Sequence, residues 1–413
     1  MTPNSLFTLE GLRAADPLLA LALLILVSVL FAEGLYRAWR LPRACGHMLM
    51  GALAGPLMLG LLVRSELDVW KPLVDLAIGA VLFELGSRIR PRWLLDNRAL
   101  ALSCIVQALL CAVLAMFALV ALGAPPLSAA VAGAVAASTS PVITLNALHE
   151  TAARGQVTER LLIMTVVNTV LAVLVLKVLR VGLAIDAPAS DAGVIATLVR
   201  SFMIVGGSLA LGVVCGLLLE RLSPWIRGTP AMTVVQIALV IIASLLAARW
   251  TLSPLLTLLV AGMTARARMQ HHLTVEPLLG SAGAALNVLL FVSLGLLFSL
   301  EGFFMVWPWA LAIVVARLLG SALAMTALAR RSGLGWRQAA GLVVALQPMS
   351  GLAVLMAADS YGWSNQLSGI DTPTLQALLV ATMLMQLTGP VWARLGLRRI
   401  ARECETTPKG RLD

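Results

Sequence analysis

The chain alternates between long apolar runs and short polar loops over most of its 413 residues. About thirteen apolar runs, most of them roughly 19 to 27 residues long, can cross the hydrocarbon core of a bilayer as α-helices. The pattern therefore predicts an all-α integral membrane protein. The predicted spans lie near residues 17–36, 43–63, 70–88, 99–122, 126–148, 160–183, 193–219, 230–248, 252–265, 278–300, 304–329, 337–358 and 372–393.

Basic residues divide the loops into two sets. Loops rich in Lys and Arg tend to stay on the cytoplasmic side of a membrane. Most of the 30 Lys and Arg residues fall in alternate loops and in the C-terminal segment. This distribution predicts a multi-pass membrane protein with its N-terminus outside and its C-terminus in the cytoplasm. The exceptions are Arg13, Arg64, Lys71, Arg180, Arg200 and Arg249 in the other loops, and Lys177 and Arg317 within spans.

Composition excludes several classes of protein. With 60% hydrophobic and 12% charged residues, and a mean hydropathy of +0.95, too little polar surface remains for a soluble fold of this length. The net charge of +10 is scattered over many loops, so topology explains it and no nucleic-acid partner is predicted. The five cysteines show no metal-ligand spacing, and no enzyme motif or cofactor-binding loop is present.

Two predicted spans are interrupted at their middle by proline beside hydroxyl or glycine residues. Proline lacks an amide donor and clashes with the preceding turn, so each helix is expected to split into two half-helices inside the membrane. Paired interruptions at corresponding places in the two halves of a chain point to the binding site of a transporter. The interruptions comprise Ser138, Thr139, Ser140 and Pro141 in one span, and Gln347, Pro348, Ser350 and Gly351 in the other.

Several segments resemble the monovalent cation/proton antiporter superfamily, and in particular its bacterial sodium/proton and potassium/proton exchangers. The segments, in order, read LPRACGHMLMGALAGPLMLGL, LAIGAVLFELGSRIRPRWL, AASTSPVITLNALHE, MTVVNTVLAVLVL and LLFVSLGLLFSL. The resemblance implies two inverted repeats containing two crossing, discontinuous helices. It also implies a homodimer in the lipid bilayer of a bacterial-type inner (plasma) membrane, which exchanges Na⁺ or K⁺ for protons by alternating access.

The resemblance also implies a division of the chain. A short extracytoplasmic segment at 1–16 and a short cytoplasmic tail at 395–413 would flank a single transporter domain at 17–394. Residues 17–90 and 230–300 would form the dimerisation part, 99–183 and 304–394 the core part, and 193–219 a linker helix.

The chain departs from the family at the ion site. Where relatives carry an aspartate after an Asn or Asp, this chain has Asn168 and Thr169, and Ser140 stands where some relatives have another aspartate. A buried carboxylate lets cation and proton compete for the same oxygens, whereas neutral oxygens do not titrate in the physiological range. The expected site is therefore poor in carboxylates. Its members would be Ser138, Thr139, Ser140, Asn168, Thr169, Gln347 and Ser350.

Three ionisable residues are candidates for charge pairing or proton coupling, since ionisable residues within a membrane are often functional. Arg317 lies near the middle of its span, where it either pairs with the ion site or bonds to carbonyls of a broken helix. Lys177 follows Thr169 by eight residues and is close enough to the helix end to snorkel. Glu84 precedes Arg88 by one turn, which suits an ion pair or a displaced proton carrier.

Two functions remain open from the sequence. The first is a cation/proton antiporter with an atypical, carboxylate-poor site. The second takes the missing carboxylates as a change of function: Arg317 and half-helix N-termini would suit a small anion or zwitterion, or the protein would be a non-transporting regulator. An enzyme is not predicted.

Overall fold

The computed structural model describes residues 17–55, 67–89, 96–185, 191–226, 231–268, 280–296, 303–350 and 372–403. The described residues form helices joined by short turns, which confirms the predicted all-α class. Eight helical segments among the described residues are long and apolar enough to cross a membrane, one of which, Pro126–Thr151, consists of two short helices. The helices are α1 (Pro17–Trp39), α2 (Arg43–Ala54), α3 (Leu67–Arg88), α4 (Arg98–Ala121), α5 (Pro126–Ala137), α6 (Pro141–Thr151), α7 (Gln156–Ile185), α8 (Asp191–Ile226), α9 (Ala231–Arg249), α10 (Pro254–Arg268), α11 (Gly280–Leu296), α12 (Phe303–Leu328), α13 (Trp336–Ala345) and α14 (Thr372–Arg394), followed by a π-helix (Leu395–Ala401).

Local chemistry sets several helix boundaries. The Asn97 side chain caps α4 by accepting a 3.1 Å hydrogen bond from the Leu100 amide. Proline occupies the first position of α5 and of α6, where its missing amide costs nothing. Pro224, Pro308 and Pro390, by contrast, lie inside α8, α12 and α14 without ending them. Proline alone therefore does not decide where these helices break.

The chain divides into two compact units, Met1–Arg90 with Val199–Phe304 and Pro91–Leu198 with Met305–Asp413. In the first unit, α2 packs on α11 and α3 packs on α10 through close backbone approach. A Cβ added at a glycine of either helix in each pair would collide with a carbonyl oxygen of the other helix. The glycines are Gly51 and Gly295 in the first pair, and Gly86 and Gly262 in the second.

The second unit contains both interruptions. Here α4 packs on α5, and a Cβ added at Gly133 would collide with the Ala112 carbonyl. α14 packs on α6, and the π-helix packs on α13. The interior of α5 is almost entirely buried and lined by alanine, so its backbone lies close to its neighbours.

The predicted boundaries agree with the described helices to within a few residues for most spans, with two differences. The predicted span 126–148 is two helices, α5 and α6, with Ser138–Ser140 between them, as the interruption predicted. The helix α8 ends at Ile226 rather than near 219. The last span ends at Arg394, close to the predicted 393, and a π-helix continues the chain to Ala401. The second halves of the predicted spans 43–63 and 337–358 lie outside the described residues.

Candidate functional site at the crossing of two interrupted helices

The first interruption is a short extended segment between α5 and α6. Ser138 has φ −70° and ψ 144°, and Ser140 has φ −74° and ψ 113°, so the backbone leaves the helical region over these residues. The Ser138 hydroxyl donates to the Val135 carbonyl at 2.7 Å, at the end of α5. The Ser140 side chain accepts from the Ile143 amide at 3.4 Å and caps α6, whose first residue is Pro141. The hydroxyls thus replace part of the lost helical bonding.

The second interruption follows α13. Leu346 ends the last turn, and Gln347–Ser350 are not helical, while Gly351 lies outside the described residues. The two extended segments meet directly, because the Ser140 amide donates to the Pro348 carbonyl at 2.9 Å. The prediction that both spans unwind is therefore confirmed for the described residues, and the two breaks cross each other.

Arg317 of α12 lies at this crossing and is completely buried. Its guanidinium donates to the carbonyls of Ala136, at the end of α5, and of Leu346 (2.5 Å) and Gln347 (3.0 Å), at the end of α13. It also donates to the Thr139 hydroxyl at 3.0 Å and lies 3.5 Å from the Pro348 carbonyl. Of these five acceptors, one faces Nε, one faces Nη1 and three face Nη2.

The arginine is matched to these partners in charge. A helix C-terminus carries about half a negative elementary charge, so two of them together offset one guanidinium. The Ala136 and Leu346 carbonyls lie at the ends of α5 and α13, whose final carbonyls have no partner within their helix. The Gln347 carbonyl follows directly after α13. Arg317 therefore satisfies a structural requirement that the two breaks create.

The pair Asn168 and Thr169 of α7 is brought to the same place. The Asn168 amide donates to the Thr139 hydroxyl at 3.1 Å, and the Thr169 hydroxyl lies 3.2 Å from the Thr139 carbonyl and 2.7 Å from the Thr165 carbonyl. All of these side chains are buried. Thr139 is thus the common contact of Arg317, Asn168 and Thr169.

Three side-chain oxygens on the segments of the crossing are buried without a hydrogen-bond partner in the described part of the chain. They are Oδ1 of Asn168, Oε1 of Gln347 and Oγ of Ser350. The amide nitrogen of Asn168 is fixed by Thr139, and that of Gln347 donates to the Val343 carbonyl at 2.7 Å. Each amide therefore presents its oxygen as a free acceptor, which is the group that a cation requires.

A second group of polar side chains, which was not predicted from the sequence, lies beside the backbone of Arg317. Its members are Gln107, Cys111 and Ser321. The Gln107 amide donates to the Ser321 hydroxyl at 3.1 Å, and the Cys111 thiol donates to the Arg317 carbonyl at 3.3 Å. A Cβ added at Gly320 would lie 2.8 Å from the Cys111 amide nitrogen. A polar residue at Gln107 in an otherwise apolar span was the available signal, since such residues usually bond across helices.

The other two charged candidates are Glu84 and Lys177. Glu84 belongs to the first unit, where its carboxylate accepts from Arg88 Nη2 at 2.6 Å and from Nε at 3.1 Å. The predicted pair with Arg88 is therefore present. Lys177 lies on α7, but its side chain is outside what the structure describes.

Comparisons with known proteins agree with this architecture. The family model described as sodium/hydrogen exchanger, transmembrane, matches residues 21–394. A structure of the sodium/proton antiporter MjNhaP1 from Methanocaldococcus jannaschii at pH 8 is similar with a TM-score of 0.71 and 14% identity, over 93% of this chain and 98% of that chain. An electron-microscopy structure of the same antiporter gives a TM-score of 0.70 and 15% identity, over 92% and 96% of the two chains. Comparison with curated proteins gives no match.

Proposed function

Since the sodium/hydrogen exchanger model matches residues 21–394, the chain belongs to that family, and we propose that it exchanges a monovalent cation, Na⁺ or K⁺, for protons by alternating access. The fold supports this proposal, because two interrupted helices that cross within one unit are how secondary transporters build an ion site. The crossing of Ser138–Pro141 with Gln347–Ser350 is the proposed site.

The observation that carries the proposal is the side-chain amide oxygen of Asn168, Oδ1, which has no hydrogen-bond partner among the described residues. It is buried beside the crossing, and its amide group is held in place by Thr139. Neutral side-chain and backbone oxygens suffice to coordinate a monovalent cation when several of them replace its hydration shell. We assign Ser138, Thr139, Ser140, Asn168, Thr169, Gln347 and Ser350 to this site.

The coupling to protons must use a group other than these oxygens, which do not titrate near neutral pH. Glu84 is the acid that we propose to test for this role, although its bonds to Arg88 already account for its position. We also propose that Arg317 holds the crossing together and that Lys177, on the same helix as Asn168, contributes charge near the site.

The arrangement does not favour the alternative of an anion carrier. Each of the three nitrogens of the Arg317 guanidinium donates to a protein acceptor, and the positive charge is offset by two helix C-termini. An anion would have to displace these bonds. A cation, by contrast, requires only the acceptors that are still free.

Proton flux in proteoliposomes tests the proposal. Purified protein is reconstituted with a fluorescent pH indicator inside the vesicles and an acidic interior, and Na⁺, K⁺, Li⁺ or chloride salts are added outside. We expect alkalinisation that depends on one monovalent cation and is absent from protein-free vesicles. A response to chloride alone would support the anion carrier, and folded protein without any response would contradict exchange.

We further propose a homodimer in the plasma membrane, with residues 17–90 and 230–300 at the dimer contact and the C-terminus in the cytoplasm. Large apolar side chains of α1 and α9 are exposed, including Leu30, Val234 and Leu245, as a surface facing lipid or a partner requires. Mass measurement in lipid nanodiscs should give two copies of the chain. A uniformly monomeric protein would contradict the proposal.

A further inference from the structure

The segment that follows the last membrane helix folds back onto the second unit. After α14, the π-helix Leu395–Ala401 packs on α13, where a Cβ added at Gly341 would lie 2.9 Å from the Gly396 carbonyl. The Arg337 side chain donates to the Ile400 carbonyl at 2.8 Å. Arg402 then adopts a left-handed conformation, with φ 59°, and reverses the direction of the chain.

This reversal places Glu403 on the first turn of α7. One carboxylate oxygen accepts from the Val157 amide and the other from the Thr158 amide, each at 2.8 Å. The Glu403 carbonyl accepts from the Arg154 amide at 2.9 Å. The carboxylate thus occupies the end of α7 where unpaired amides and the helix dipole favour a negative charge.

The local sequence of α7 fits this contact. Gly155 has φ 157°, and a Cβ there would lie 2.4 Å from the Glu403 carboxyl carbon, so a larger residue would displace the acid. α7 supplies no acceptor of its own to the Val157 and Thr158 amides among the described contacts; Glu403 supplies both. The contact joins positions 246 and 245 residues apart in the sequence.

We propose that Glu403 is a positioning residue for transport: it caps α7 from the C-terminal segment and holds the helix that carries Asn168 and Thr169 against α13. Asn168 lies eleven residues beyond Val157, roughly 17 Å along the helix. α13 leads directly to Gln347. The segment 395–403 therefore connects the N-terminal parts of α7 and α13, the two helices that both lead to contacts with Thr139. In this way it fixes the position of one helix relative to the other at the site.

This inference rests in part on the proposed function, so the experiment has a readout that does not require transport. The full-length protein in nanodiscs is compared as parent, Glu403→Gln, Glu403→Ala and the charge-matched control Glu405→Gln, which lies outside the described residues. Hydrogen exchange is measured on peptides covering 156–160. Loss of a helix cap should speed exchange there about 10-fold in Glu403→Ala. Glu403→Gln keeps one acceptor and should be intermediate, whereas Glu405→Gln should match the parent.

The second readout separates positioning from stability. In proteoliposomes we expect the apparent KM for the cation to rise several-fold in Glu403→Ala while the maximal rate per folded protein changes little. If hydrogen exchange at 156–160 is the same in Glu403→Ala as in the parent, Glu403 does not cap α7. If hydrogen exchange is faster but the apparent KM for the cation is unchanged, Glu403 does not position the site. If the parent itself shows no exchange of cations for protons, the proposed function fails, and the hydrogen-exchange comparison still decides whether the cap exists.

Discussion

Removal of the Arg317 side chain is expected to destabilise the protein more than any other change of a basic residue in its described part. The substitution Arg317→Ala leaves the carbonyls of Ala136, Leu346 and Gln347 without their donor in a completely buried site. Each unsatisfied buried acceptor costs about 1–3 kcal/mol, so three of them cost about 3–9 kcal/mol. Water entering the space left by the side chain would reduce this cost towards its lower end.

The charge and the geometry of Arg317 can be separated by a second variant. Arg317→Lys keeps the positive charge that offsets the two helix C-termini, but an ammonium group has three donors and lacks the planar fork of a guanidinium. We therefore expect Arg317→Lys to lie between Arg317→Ala and the parent. Arg331→Ala, at an exposed arginine, is the matched control and should change stability by less than about 0.5 kcal/mol.

Stability is measured as the fraction of protein that stays monodisperse after heating in mild detergent, and the four proteins are compared over a range of temperatures. The expected order of midpoints is parent and Arg331→Ala highest, then Arg317→Lys, then Arg317→Ala. An Arg317→Ala protein as resistant to heat as the parent would refute the view that the arginine holds the two breaks together.

Two further changes test packing and coupling. Gly320→Ala places a Cβ 2.8 Å from the Cys111 amide nitrogen and should lower stability by about 1–3 kcal/mol. Gly34→Ala is the control, because a Cβ there has nothing within 4 Å, and it should be neutral or mildly stabilising. Equal thermal midpoints for the two variants would contradict the close approach of Gly320 to Cys111. Glu84→Gln removes the charge that pairs with Arg88 and should lower stability. If the ion pair is the main role of Glu84, the pH dependence of transport in vesicles is retained. Loss of that pH dependence in a folded variant would identify Glu84 as the proton carrier.

The breaks of the two crossing helices could be predicted from the sequence because their cause is local. Pro141 and Pro348 remove amide donors, and the neighbouring hydroxyl residues tolerate an extended backbone. Pro308 shows that this signal is incomplete, since it lies near the start of α12 without ending the helix. What distinguishes Pro141 is a hydroxyl cap at Ser140 and a partner segment that supplies the Pro348 carbonyl.

The partners of Arg317 could not be predicted to the same degree. The sequence left two interpretations open, a charge partner at the ion site or a bond to carbonyls of a broken helix. The structure shows the second, because Arg317 contacts backbone carbonyls at the C-terminal ends of α5 and α13. An electropositive site would instead require the amides of helix N-termini. Backbone carbonyls carry no residue-specific signal, so only the fold shows where they converge.

The contacts of Glu403 could not be predicted from the sequence, which predicted only a short cytoplasmic tail at 395–413. Its partners are backbone amides 245 and 246 residues away in the sequence. Any residue except proline has such an amide, so the residue types at these two positions do not reveal the contact. Gly155, which leaves room for the carboxylate, is a nearby residue whose type reflects the contact. Contacts of this kind follow from the path of the chain and not from the pattern of residue types.

The most direct test of the central claim compares the parent, Asn168→Ala and Thr169→Asp in the proteoliposome assay for proton flux driven by Na⁺ or K⁺. Asn168→Ala removes one of the three free side-chain oxygens at the crossing and should weaken cation-driven flux. Thr169→Asp places a carboxylate beside Thr139, where cation and proton would compete for the same oxygens, and should strengthen pH-dependent exchange. If all three proteins are folded and give the same flux between about pH 6 and 9, a range that spans the unperturbed titration of histidine, the crossing is not the ion site.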